Sequence, residues 1–255
     1  RRVKATAYAV VEQLRRGEFS INGTETEFGI GKRYPELILE LPGGGRYILS
    51  GRIDRIDSYT SDSGEKFVRV IDYKSKSGSA FDCADIADGK RLQLPLYIAA
   101  IEAAGAAERA AGMYYLPVHE GIINSGGKED DFGTRILKEF RLRGACLNDA
   151  KLIELGGGED VQPTARSGWR LSEEQLKGTV SFAVDKARQT ACKIAKGHAE
   201  AYPLMSKENK TECEWCDYNS VCGFDATLPC CKYRWASIIK KDDFLEEVSH
   251  AQLDR

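Results

Sequence analysis

The chain has 255 residues, enough for one large domain or two small ones with an ample core. Its 37 Lys and Arg against 39 Asp and Glu give a net charge of −2, which excludes a polybasic mode of nucleic-acid binding in which charge alone supplies affinity. With 42% hydrophobic and 30% charged residues the composition is that of a globular domain, and no apolar run approaches the roughly 20 residues that span a bilayer. The start at Arg1-Arg2-Val3-Lys4 carries neither Met nor a signal-peptide core and reads as a piece of a longer, cytoplasmic protein.

In chain order, Ala7, Val10, Val11 and Leu14 recur at helical spacing, so residues 3–16 are expected to open the fragment as an amphipathic helix. Strand-like pieces follow at 25–30, 36–41 and 47–59, with Pro42-Gly43-Gly44-Gly45 as the turn between the second and third. A polar turn at 61–65 leads to a strand over 66–74, and four strands on short turns predict an antiparallel meander. Residues 92–107 read as an Ala-rich helix, 111–118 as a strand, 119–135 as a Gly-rich loop, 135–155 as mixed helix and 156–170 as a second loop. The strongest helix runs over 171–201, where Leu176, Val180, Ala183, Ala187, Ala191 and Ile194 recur at steps of three and four until Pro203. A Cys-rich segment and a short helix near 242–248 close the chain. The expected division is a core over 1–205 and a Cys-rich segment with tail over 206–255.

Two stretches carry chemistry. Gly51-Arg52-Ile53-Asp54-Arg55-Ile56-Asp57 is followed by Val70-Ile71-Asp72-Tyr73-Lys74-Ser75. Side chains alternate along a strand, so Asp72 and Lys74 leave one face while Ile71 and Tyr73 point into packing. A hairpin through the 61–65 turn sets Asp54 beside Asp72. Two carboxylates that close repel unless a cation neutralises them, and oxygen-only ligands suit Mg²⁺ or Mn²⁺. Lys74 can then orient a water or stabilise charge on a phosphate in the transition state.

These residues resemble the PD-(D/E)xK nuclease superfamily, and GRIDRID with VIDYKS is similar to its RecB-like members. Gln93-Leu94-Pro95-Leu96-Tyr97 resembles their QLxxY helix element, with Gln93 and Tyr97 one turn apart on one face. Pro95 predicts a kink or a late helix start there. The resemblance implies an α/β fold with a mixed, mostly antiparallel sheet flanked by helices, and phosphodiester hydrolysis of DNA. It implies that Asp54 and Asp72 bind the metal with the Tyr73 carbonyl, that Lys74 activates water, and that Gln93 and Tyr97 support the site or touch DNA. The metal-binding His usual on an earlier helix has no counterpart, because His119, His198 and His250 all follow Asp54. Glu25, on a Glu-containing strand, is the candidate nearest to replacing it.

The second stretch is Cys213-x2-Cys216-x5-Cys222, whose three thiolates suit one metal site. It resembles the iron–sulfur staple of RecB-like nucleases, most closely the nuclease domain found in the B subunit of the bacterial AddAB helicase–nuclease. The likeness runs from about residue 20 to 250 and takes in Gly197, Pro203 and Lys232-Tyr233-Arg234. It implies a [4Fe–4S] cluster on Cys213, Cys216 and Cys222 with a fourth Cys upstream of the fragment, closing a loop of nearly the whole domain. Cys83, Cys230 or Cys231 as the fourth ligand would make zinc the alternative. The implied partners are single-stranded DNA ends and the helicase–nuclease A subunit; no membrane is implied. No GxxxxGK[ST] loop occurs, so ATP chemistry would belong to other parts of the protein. The alternatives are a stand-alone iron–sulfur exonuclease of the Cas4 type and an inactive nuclease fold that binds DNA or a partner subunit. With net charge −2, DNA affinity is expected to be weak and to rest on the metal and local Lys and Arg.

Overall fold

A computed structural model describes residues 2–75, 81–105, 108–118, 132–164, 166 and 169–253. Helix α1 (Arg2–Arg16) leads into β1 (Ser20–Phe28), a hairpin β2 (Leu37–Glu40) and β3 (Arg46–Leu49), then β4 (Gly51–Thr60) and β5 (Lys66–Lys74). Next come α2 (Cys83–Ala87), α3 (Gln93–Glu102), β6 (Glu108–Pro117), α4 (Phe132–Glu139), β7 (Arg143–Leu147), α5 (Ala150–Leu155) and β8 (Trp169–Leu171). The long α6 (Glu173–Ala195) precedes β9 (Leu204–Met205), α7 (Asn219–Cys222), β10 (Arg234–Trp235) and α8 (Lys241–Leu253).

Six strands form one mixed sheet in the order β1-β4-β5-β6-β7-β8. The β1/β4, β4/β5 and β6/β7 pairs are antiparallel, whereas β5/β6 and β7/β8 are parallel. The expected meander is therefore incomplete. The stretch 47–59 breaks at Ser50 into β3 and β4, and β1 pairs directly with β4 while β2 and β3 pair only with each other. The hairpin buries Leu37 and Leu39 and leaves Ile38 exposed, so its alternation is satisfied by packing against α6 rather than by joining the sheet.

Two further expectations give way. The mixed-helix stretch 135–155 contains β7, and the loop 156–170 runs into β8. β7 is short and buried along nearly its whole length, and such an apolar run has no period by which to tell strand from helix. The expected loop 119–135 lies outside the described residues as far as 131.

Helix α6 begins with a capping box, in which Ser172 Oγ accepts from the Gln175 N–H (3.2 Å) and Gln175 Oε1 accepts from the Ser172 N–H (3.0 Å). It ends at Ala195, before the residue expected to stop it. Gly197, at φ +75°, supplies the left-handed exit, so Pro203 lies in the following segment. Gly178 lets α8 approach α6 closely, since a Cβ there would lie 2.4 Å from the Val248 carbonyl oxygen. Phe244, Leu245 and Val248 of α8 thereby join the main core with Leu176 and Val180 of α6. A second core packs Ile71, Tyr114 and Leu116 against Ala9 of α1 and Ile136 and Leu137 of α4. Pro95 does not delay α3 past Gln93: it sits in the first turn, where its missing N–H would have no intrahelical partner.

Candidate active site

The site stands where β4 begins and β5 ends. The backbone ladder between them closes at Arg55↔Ile71. Continued by one residue, that register sets Asp54 opposite Asp72. There the side chain replaces the ladder, because Asp54 Oδ2 accepts the Tyr73 N–H at 2.9 Å. Cross-strand partners share a face, so the two carboxylates lie side by side with Lys74 two residues beyond.

Asp72 is 2% exposed. Burial pushes its carboxyl above the ordinary range; Lys74 pulls it back, and the neighbouring Asp54 charge raises it again. Lys74 Nζ lies 2.6 Å from the buried Asp72 Oδ2, and both the ion pair and its hydrogen bond pull the carboxyl down. Among the described residues no second donor reaches that oxygen. Two adjacent carboxylates, one with a buried oxygen short of donors, form a hard oxygen donor set of the sort that Mg²⁺ or Mn²⁺ prefers. Asp54 and Asp72 therefore fit a divalent ion, although among the described residues no three His, Cys, Asp or Glu side chains gather as a metal-holding group.

A polar relay runs from Lys74 onto α3. Lys74 Nζ donates to Gln93 Oε1 (3.0 Å), Gln93 Nε2 donates to the Tyr97 hydroxyl oxygen (2.6 Å), and the Tyr97 hydroxyl donates to the Arg52 carbonyl (2.7 Å). Helical spacing presents Gln93 and Tyr97 on one face, and the link to Arg52 ties that face to the start of β4. Lys74 thus has its ammonium fixed between Asp72 and Gln93. Behind it, Lys74 Nζ lies 5.5 Å and Arg91 Cζ 5.8 Å from the centroid of the buried Tyr115 ring. Burial pushes the Tyr115 hydroxyl up to about 12, against the pull of Arg91 and with the Asp72 charge adding to the rise.

Glu25 is opposite Asp54 in the β1/β4 register, between the pairs Thr24↔Arg55 and Thr26↔Ile53. It adopts φ +48°, which is uncommon for a residue other than Gly, and its carboxylate goes to Arg52 Nε at 2.7 Å. Glu25 is near the site and engaged with Arg52.

Sequence reasoning missed the opposite face of the same strands. Asp57 receives Arg55 Nε (2.6 Å), Arg55 Nη2 (2.8 Å) and Arg69 Nε (2.9 Å), with all three residues at most 1% exposed. Arg69 also donates to the Gly156 carbonyl and lies over the Phe19 ring. Burial opposes the Arg55 charge, but Asp57 and the Tyr73 side chain outweigh it. The available signal was alternation: Arg55 and Asp57 share the inward phase of β4 with Ile53.

The cysteine segment looks different. Cys213 lies on a short 3₁₀ turn (Glu212–Trp215), Cys216 caps it, and Cys222 ends α7. All three are free thiols, and they do not converge into a metal-holding group. Trp215, Tyr218 and Val221 around them are exposed.

Comparison with known proteins agrees with the nuclease signature. The chain is 34% identical to the B subunit of the ATP-dependent helicase/deoxyribonuclease of Moorella thermoacetica, over 88% of this chain and 21% of that protein. It is 30% identical to the protein of the same description from Acetivibrio thermocellus, over 89% of this chain and 22% of that protein. The chain thus spans about a fifth of the length of the curated relatives it matches. The crystal structure of SSO0001 superimposes with a TM-score of 0.31 at 14% identity, covering 87% of this chain and 69% of that one, a likeness too low to carry an argument. Residues 1–223 match the model of the PD-(D/E)XK nuclease superfamily, whose mixed sheet, Asp54 strand and Asp72-x-Lys74 strand all appear in this fold: the chain belongs to that superfamily.

Proposed function

We propose that this chain is the nuclease domain of a DNA-processing helicase–nuclease, hydrolysing phosphodiester bonds with a divalent ion held by Asp54 and Asp72. The observation that carries the reading is the juxtaposition of those carboxylates across β4 and β5, with Lys74 on Asp72 and the Gln93–Tyr97 relay behind it. The residue roles are part of the proposal. Asp54 and Asp72 supply metal oxygens, with the Tyr73 carbonyl as a third donor. An ion bound there, Mg²⁺ or Mn²⁺, supplies Lewis acidity to a phosphate oxygen and acidifies water. Lys74, fixed between Asp72 Oδ2 and Gln93 Oε1, orients the attacking water and offsets charge developing on the phosphate. Gln93 sets the Lys74 ammonium, and Tyr97 sets Gln93 by anchoring its own hydroxyl on the Arg52 carbonyl.

The curated relatives are described as the B subunit of an ATP-dependent helicase/deoxyribonuclease, which supports DNA as the substrate and a multi-subunit enzyme as the setting. Single-stranded DNA ends, an A subunit as heterodimer partner and recombinational repair in the cytoplasm belong to the proposal itself. No helix among the described residues is long and apolar enough to cross a membrane. The division into a core over 1–205 and a Cys segment with tail over 206–255 belongs to this proposal, with α8 returning to the core. A [4Fe–4S] cluster on Cys213, Cys216 and Cys222 is supported by their spacing and free thiols alone; absorbance after reconstitution with iron and sulfide tests it separately. The deciding experiment is degradation of linear single-stranded DNA with and without Mg²⁺. Cleavage that requires Mg²⁺ and is lost in Asp72→Ala and Lys74→Ala is expected. Cleavage that survives both substitutions overturns the assignment.

A further inference from the structure

Beside the site, a groove of about 490 Å³ opens between the end of β1 and the start of β4, walled by Phe28, Ile30, Lys32, Ile48, Ser50 and Arg52. Two of its wall residues touch the relay. The Arg52 carbonyl takes the Tyr97 hydroxyl, and the Phe28 ring meets the Tyr97 ring edge-on with centroids 6.1 Å apart. Arg52 and Asp54 are two apart on one strand, so their side chains leave the same face about 7 Å apart.

The chemistry of its wall is mixed. Ile30 and Ile48 are 73% and 51% exposed, an unusual use of Ile beside a polar site. Lys32 pairs with Glu27 and Arg52 with Glu25, and all four side chains are about half-exposed or more. The two cations are therefore present but neutralised. That pattern does not suit duplex DNA, whose backbone needs many unopposed cations. One unpaired strand presents half as many phosphates per length as a duplex, so two cations that can exchange their carboxylates for phosphates reach its backbone while the apolar side chains cover base faces.

We propose that this groove takes the unpaired nucleotides flanking the bond to be cut, with Ile30 and Ile48 against the bases and Arg52 and Lys32 on the phosphates. Arg52 leaves Glu25, and Lys32 leaves Glu27, as the strand enters. The proposal rests on the nuclease reading above and names how that site holds its substrate.

The test measures fluorescence anisotropy of labelled twelve-residue oligo(dT) with Mg²⁺ in a Lys74→Met background, across a salt series. Arg52→Ala and Lys32→Ala should each weaken binding and lower the slope of log affinity against log salt by about 0.7, the value of one single-strand phosphate contact. Ile30→Ser with Ile48→Ser should weaken binding several-fold and leave the slope unchanged. Glu27→Gln, which frees Lys32, should tighten binding. In the otherwise unmodified chain, an oligonucleotide carrying 4-thiothymidine should photo-crosslink within 28–32 or 48–52. Unchanged affinity and slope in these variants, no binding by the Lys74→Met chain, or crosslinks confined to other segments overturns the groove. If Asp72→Ala abolishes cleavage while the groove variants bind normally, the groove fails alone; if Lys74→Met cleaves as fast as the parent, the nuclease reading fails first.

Discussion

The two faces of the β4–β5 pair carry the same kinds of side chain and treat them oppositely. On one, Asp57 is gripped by two guanidiniums through three hydrogen bonds. On the other, one ammonium, Lys74, pairs with Asp72, Asp54 accepts the Tyr73 N–H, and burial with the Asp54 charge pushes the Asp72 carboxyl upward. Both carboxylates at the centre of these clusters, Asp57 and Asp72, are buried. The difference lies in cation count: two Arg for one Asp make a structural clasp, while one Lys for two Asp leaves a deficit that a divalent ion can fill. Buried charge by itself does not mark a site; buried charge of one sign in excess does.

The comparison can be broken most forcefully at Asp57. Asp57→Ala strands two buried guanidiniums and should destabilise the fold by about 3–5 kcal/mol, read as a drop in the chemical-denaturation midpoint. An Asp57 variant as stable as the parent would show that the clasp is not structural. Asp72→Asn sharpens the other side. It removes a desolvated charge from beside Asp54, so the metal-free protein should melt no lower than the parent, while Mg²⁺-dependent cleavage falls by about a hundredfold or more. A large loss of melting temperature there would place Asp72 with Asp57 as scaffold.

Smaller effects follow along the relay. Lys74→Met should lower kcat with little change in KM, since its ammonium acts where charge develops. Gln93→Ala should cost about tenfold in rate by freeing that ammonium, and Tyr97→Phe less, because Gln93 keeps its contact with Lys74. A Tyr97→Phe effect larger than that of Gln93→Ala would reverse the order of the relay.

Much of the Asp54–Asp72 face was legible in sequence, because its signals are local: Asp-x-Lys on a strand, a four-residue helical step and a polar turn between two strands. Gln93 and Tyr97 stand in line behind Lys74 as their spacing implies. For the Arg55–Asp57–Arg69 clasp only the inward phase of Arg55 and Asp57 was legible, since nothing local names the cross-strand partner that makes a buried charge a clasp. β7 was hidden by its uniform burial, and the detached β2–β3 hairpin by the fact that a turn specifies a hairpin but not the sheet it joins. The Cys segment is legible as spacing alone: its thiols are free, and among the described residues no three His, Cys, Asp or Glu side chains form a metal-holding group. Ligand spacing reports chain geometry, whereas closing a cluster needs every ligand and the metal itself.

Mn²⁺ titration followed by electron paramagnetic resonance, on the parent chain and on Asp72→Asn, decides whether a divalent ion fills the electrostatic deficit of the Asp54–Asp72 face. The expected result is saturable binding by the parent and its loss, by about tenfold or more in affinity, in a folded Asp72→Asn protein. Equal Mn²⁺ affinity in the two would contradict it.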